Sequence, residues 1–182
     1  MSFLAAMLLL NMDSHVAFVA LANLLNNPRY FSTGYTPEMT PGQVAAFKDS
    51  FKFNLPLLCE HFETHGVTHE LYLIDWRLSV FCRILPLDVA VRVWDNFLRE
   101  GEVYFIKCAL GLLKLFAPNL ATKSDLGAVI KLLRDGEKVT VEELFESVEQ
   151  IKVVPISTNG GDSGVGLGRG ARGRLASACS PS

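Results

Sequence analysis

The run from Leu71 to Phe116, LYLIDWRLSVFCRILPLDVAVRVWDNFLREGEVYFIKCALGLLKLF, constrains the fold more than any other part of the chain. It reads as three consecutive helices, each more apolar than a surface helix. In the first, Leu71, Ile74, Leu78, Phe81 and Leu85 recur at steps of three and four, and a second stripe of Leu73, Trp76, Val80 and Ile84 runs beside them. Only Asp75, Ser79, Cys82 and Arg83 make a narrow polar line, so burial is expected over most of the circumference.

Pro86 sets the next boundary. The residue before a proline is pushed out of the helical region, while proline suits a first helical turn. One helix is therefore expected to end near Ile84 and another to begin at once. On that second helix Val89, Val93, Trp94, Phe97 and Leu98 face inward. Asp88, Arg92, Asp95 and Arg99 lie three or four apart on the other face, an alternating-sign ladder suited to bracing. Gly101 ends this helix as a C-terminal cap would. The third helix, Val103 to Phe116, carries only Lys107 and Lys114 as charges.

The flanking chain repeats the helical period. Phe3 to Met12 is a short apolar helix, and Asp13 or Ser14 can cap the next, which Asn26, Asn27 and Pro28 stop. Residues 29–41 form a loop with three aromatics and two prolines, longer than a plain connector needs. Pro41 opens a helix to about His65 with Val44, Phe47, Phe51, Leu55, Leu58 and Phe62 inward, and Pro56 is expected to kink it. Ser124 or Thr122 can cap a helix running to Gly136. Thr140 with Glu143 makes a capping box for a last helix from Val141 to about Lys152. The expectation is all-α, about eight packed helices over residues 1–155, with no strand. Residues 156–182 are rich in glycine, serine and arginine, lack aromatics and are expected to form a disordered tail.

Composition bounds the function classes. A net charge of −2 over 182 residues argues against a nucleic-acid partner, and GRGARGR in the tail supplies only three arginines. Cys59, Cys82 and Cys108 sit within apolar helical patterns without a CxxC pair, as small hydrophobes do in a reducing compartment. No apolar stretch is expected to reach the roughly 20 residues of a membrane span. The start, MSFLAAMLLL, resembles the apolar core of a signal peptide but lacks a positive n-region, and a core helix is the favoured reading.

Several constellations resemble chemistry. His61, His65 and His69 fall at i, i+4 and i+8 near Cys59 and Glu63, which is metal-ligand spacing on a helix. Gly66 interrupts that helix before the third histidine, so a solvated polar edge is favoured and neither metal nor cofactor is expected. Glu142, Glu143, Glu146 and Glu149 read as a solvated face, and no phosphate-binding glycine loop lies between a strand and a helix.

Three segments together carry a family resemblance: MSFLAAMLLLNMDSHVAF at 1–18, LYLIDW at 71–76 and LPLDVAVRVWDNFLREG at 85–101. They resemble, in order and spacing, the C-terminal half of the TBC domain, the all-helical module that activates Rab GTPases. Asp75, Trp76, Pro86, Arg92, Trp94 and Asp95 match the family's structural motif. The resemblance implies a Rab-type small GTPase as partner, with Tyr30, Phe31 and Tyr35 as candidate contacts. It also implies a cytoplasmic protein, peripheral on endomembranes through that partner. Members are expected to insert an arginine from an IxxDxxR motif and a glutamine from a YxQ motif into the GTPase. Neither motif occurs here, and Gln43 and Gln150, the two glutamines, do not follow a tyrosine by two places. The matching segments are expected to begin just after the glutamine finger, so the catalytic expectation is nil for this polypeptide. The alternative is a non-catalytic Rab-binding adaptor. The first two helices are expected to leave apolar area uncovered.

Overall fold

A computed structural model describes residues 2–31, 36, 38–136 and 138–155. Tyr35 and the segment 156–182 lie outside the described residues. Nine helices and no strand occur among those described: α1 (Ser2–Asn11), α2 (Ser14–Asn26), α3 (Pro41–Asn54), α4 (Pro56–Thr64), α5 (Glu70–Ser79), α6 (Leu87–Glu100), α7 (Glu102–Leu120), α8 (Leu126–Asp135) and α9 (Val141–Glu149).

The ninth helix comes from Pro56. Where a kink was expected, the helix breaks into α3 and α4, because Leu55 before the proline leaves the helical region at φ −136° and ψ 58°. Pro56 then occupies a first helical turn, where its missing N–H costs nothing.

The architecture is built around α7, which packs against α9, α6, α3 and α5. Eleven of its side chains or backbone positions are buried, from Tyr104 to Leu120. At 19 residues, and running through Pro118, α7 is long and apolar enough to cross a membrane, which corrects the expectation that no stretch approached that length. Its apolarity serves the protein interior, since 61% of its apolar stretch is buried inside the protein. Gly111 sets how closely α9 approaches: a Cβ there would stand 2.7 Å from Val148 Cγ2. The Gly111 carbonyl accepts a hydrogen bond of 2.9 Å from Ser147 Oγ across the same contact.

The end of α5 differs most from the periodic reading. The helix stops at Ser79, not near Ile84, because Val80 (φ 44°) and Phe81 (φ 62°) are both left-handed. Two consecutive non-glycine residues in that region are costly, about 1–2 kcal/mol each. Burial holds them there: Val80 is 1% exposed, Phe81 0%, and the Phe81 ring stacks on Phe105 at 5.1 Å. The inward stripe shifts accordingly. Leu71 and Ile74 are 37% and 36% exposed, whereas Tyr72, Leu73, Trp76, Arg77 and Ser79 are buried.

The caps follow the usual chemistry with one relocation. Thr40–Gln43 and Thr140–Glu143 form reciprocal capping boxes on α3 and α9. Asp125, rather than Ser124 or Thr122, caps α8 by accepting from Ala128 N at 2.9 Å. Gly101 joins α6 to α7 at φ 72°, and a Cβ there would meet Arg29 O at 2.6 Å.

Candidate functional site

The motif residues LYLIDW and RVWDNF converge on the α5–α6 corner. Trp76 donates from Nε1 to Leu133 O at 2.9 Å, tying α5 to α8. Trp94 donates from Nε1 to Val80 O at 3.1 Å and lies 3.1 Å from Cys82 Sγ, so the indole pins the left-handed turn. Asp75 pairs with Arg83 at 3.2 Å and with Arg134 at 3.7 Å. These pairs are partly exposed and bind the corner together rather than forming a reactive centre. Pro86 precedes α6 at its N-cap. Arg92 and Asp95 are exposed on α6, and the ladder expected with Asp88 shows no ion pair among the described residues. Arg99 pairs with Glu100 at 2.8 Å, and Lys107 completes that group at 3.3 Å. Exposed i, i+4 pairs gain little over separate hydration, which is why spacing alone does not produce them.

The second concentration of polar chemistry lies under the segment after α2. Arg77 is 3% exposed, and its Nη1 donates to Thr36 O and Glu38 O, each at 2.7 Å. Its Nη2 pairs with Glu102 Oε1 at 3.1 Å, and the Gln43 amide donates to the other Glu102 oxygen. The guanidinium lies 5.4 Å from the centroid of the Phe31 ring. One cation on α5 thus joins α3, α7 and the segment leading to α3.

Tyr30 and Phe31 belong to this arrangement. Tyr30 Oη donates to Leu98 O at 2.8 Å, and Phe31 is 2% exposed, edge-on to Phe97 at 6.3 Å. Their rings therefore anchor the segment to the α6–α7 corner. Burial of Arg77 was missed because the partner acid, Glu102, is 25 positions away and nothing local pairs them. The available signal was that Arg77 lies off the narrow polar line of Asp75, Ser79, Cys82 and Arg83.

The histidine series is split: the His61 and His65 rings stay 4.2 Å apart, and His69 leaves them. His61 Nε2 lies 2.9 Å from Lys123 O, and His65 Nδ1 lies 2.8 Å from His61 O. His69 stands at the N-terminus of α5, 3.0 Å from Glu70 Oε1. No group of three metal-ligating side chains is gathered among the described residues. Burial lowers the His69 pKa, with Lys48 acting in the same direction and Glu70 opposing. A histidine held neutral in the fold but titrating ordinarily when unfolded makes stability fall as pH drops below about 6.5. Urea unfolding between pH 7.5 and 5.5 is expected to show this loss, and His69→Gln to flatten it.

The Cys82 and Cys108 thiols are chemically quiet. Burial raises the Cys82 pKa to about 11 against a lowering contribution from Trp94, and burial alone raises that of Cys108 further.

The hairpin of α1 and α2 is the third feature. Leu4, Met7, Leu8, Ala17 and Leu24 pack inward, and α1 rests on α5. On the other side Phe3, Leu9, Leu10, Val16, Phe18 and Val19 are between 45% and 72% exposed. Neither helix contains an acidic, lysine or arginine residue. Exposed apolar side chains on this scale are of the kind that mark contact surfaces.

Comparison with known proteins bears on that surface. The family model "Rab-GTPase-TBC domain" matches residues 1–121. Human TBC1 domain family member 14 is 42% identical over 157 residues, covering 84% of this chain and 22% of that protein. TBC1 domain family member 12 from Xenopus tropicalis is 40% identical over 156 residues, again 84% and 22%. Drainin from Dictyostelium discoideum is 34% identical over 154 residues, with 83% of this chain and 35% of that protein covered. The chain thus spans about a fifth of the length of the TBC1 relatives it matches. Among solved structures, a Chlamydomonas flagellar RabGAP TBC domain superposes with a TM-score of 0.66 at 24% identity, covering 80% of this chain and 50% of that one.

Proposed function

The chain belongs to the Rab-GTPase-TBC domain family, and on that premise we propose that it supplies the non-catalytic helical wall of a Rab GTPase-activating domain. It engages a Rab-type small GTPase without itself supplying the groups that accelerate hydrolysis. The observation that carries this reading is the pairing of the family's helical motif with the lack of any IxxDxxR or YxQ sequence in the 182 residues.

The chemistry sets the scale. GTP hydrolysis by a Rab is slow because charge developing on the phosphoryl oxygens is poorly stabilised. An arginine inserted in trans raises the rate by about 10³ to 10⁵, equivalent to roughly 4–7 kcal/mol of barrier. No arginine of the 182 residues stands in the family's IxxDxxR sequence to supply that. The exposed α1–α2 face then covers apolar surface contributed by the remainder of an activating domain. Recruitment through a Rab brings the protein to the cytoplasmic side of endomembranes.

Single-turnover GTP hydrolysis by a panel of GTP-loaded Rabs, with and without the chain, tests this. The expected stimulation is below about tenfold, far short of an arginine finger, together with retention of a GTP-loaded Rab in pull-down. Stimulation above that level would overturn the non-catalytic assignment. Failure to retain any Rab would overturn the proposed partner.

A further inference from the structure

The α1–α2 hairpin stands at the edge of the bundle, where α2 packs chiefly against α1 and α1 rests on α5. On α1, Leu4, Met7 and Leu8 turn inward, which leaves Phe3, Leu9 and Leu10 on the opposite side. On α2, Ala17 and Leu24 turn inward, and Val16, Phe18 and Val19 lie away from them. Leu9, Leu10 and Val16 are each within a turn of the Met12–Asp13 connection, so the two outer sides meet at the tip of the hairpin.

Area and charge together say what fits this surface. From their exposures, the six outward side chains present roughly 500 Å² of apolar surface per chain. Two such surfaces face to face would bury about 1,000 Å², the size at which a contact becomes a specific interface. A surface that pairs with its own copy must not repel itself, and neither helix carries an acidic, lysine or arginine residue.

The charges that border the hairpin are opposite in sign and lie at opposite ends of α1. Asp13 follows its last turn. At its start the Arg83 guanidinium stands 5.8 Å from the centroid of the Phe3 ring. Arg83 and Arg134 share the single carboxylate of Asp75, so that end is positive. Phe3 and Asp13 are roughly 15 Å apart along the helix axis. A two-fold axis that sets the α1 helices of two chains antiparallel therefore brings each Asp13 to the positive end of the other.

We propose that the chain pairs with a second copy of itself through the α1–α2 surfaces, with the two α1 helices antiparallel and Asp13 of each facing the Arg83 end of the other. This rests on the reading above that the surface is one for protein and lies apart from the GTPase contact. The same surface cannot hold a second copy and the remainder of an activating domain at once, so pairing holds the chain in reserve and that remainder displaces the copy.

Sedimentation equilibrium of the 182-residue chain tests the proposal. The average mass is expected to climb from one chain toward two, and to level there, over roughly 1–500 µM, since an interface near the lower size limit is a weak one. Leu10→Glu and Phe18→Glu, at positions 67% and 72% exposed, should each weaken pairing by about tenfold or more, because like charges are brought together across the axis. Asp13→Lys should weaken it by about threefold, the scale of an exposed ion pair. Leu57→Glu, at an 82% exposed position on α4, should leave it unchanged.

A chain that stays monomeric throughout would overturn the proposal, as would growth past two chains without a plateau. Equal weakening by Leu57→Glu, or none by Asp13→Lys, would do the same. Flotation of a monomeric chain with phosphatidylcholine vesicles would assign the surface to lipid instead. Loss of GTP-loaded Rab from pull-down with Phe18→Glu would assign it to the GTPase. A chain that pairs but retains no Rab supports this inference and tells only against the partner proposed above.

Discussion

Replacing Arg77 by alanine is expected to destabilise the protein by about 3–5 kcal/mol, the range for removing one partner of a buried ion pair. The cause is less the loss of attraction than what remains. Glu102, at 13% side-chain exposure, loses the guanidinium it pairs with, and the carbonyls of Thr36 and Glu38 lose their shared donor. For a domain of this size the change lowers the thermal midpoint by about 6–20 °C. A paired variant separates the two contributions. Arg77→Met with Glu102→Gln removes both charges and keeps most of the volume, so it should recover more than half of the loss. A single-variant loss below about 1 kcal/mol would mean that the guanidinium is solvated in solution and that the cluster does not hold the segment before α3.

Trp94→Ala is expected to cost a comparable amount, about 3–5 kcal/mol, through the cavity left by a side chain that is 3% exposed. The informative variant is Trp94→Phe. It keeps an aromatic ring against Phe97 but removes the indole donor to Val80 O, leaving that buried carbonyl only the weak Cys82 thiol donor at 3.8 Å, at an expected cost of about 1–3 kcal/mol. Because Val80 and Phe81 sit in strained left-handed geometry, that loss should appear locally as well as globally. Amide hydrogen exchange at residues 80–85 is expected to quicken more than exchange within α7. Uniform acceleration across both would show that the indole contributes bulk packing and does not pin the turn.

The helical class, the inward faces of α3, α4 and α6, the capping box of α9 and the family motif were legible in the sequence. Each depends on neighbours within one or two turns. Phe47, Phe51, Leu58 and Phe62 recur at helical spacing and are buried where that spacing places them. The α5 region was read less well because a nearly all-apolar helix has no clear inward face: its period fits several rotations. Its actual orientation follows Trp76, which reaches Leu133 O, and Arg77, which reaches Glu102. Those partners lie 57 and 25 positions away, beyond any local pattern.

By itself the sequence determined that the chain folds as packed helices, where most of them start, and that the family's arginine and glutamine motifs are missing from these 182 residues. Only the tertiary structure decided that Arg77 is an internal tether, that Tyr30 and Phe31 are anchors, that α5 stops at Ser79, and that α7 spends its apolarity on the interior. The physical reason is one of range. Helix formation and capping are set by contacts a few residues apart, whereas the side a helix buries and the partner a charge finds depend on which distant segment arrives beside it.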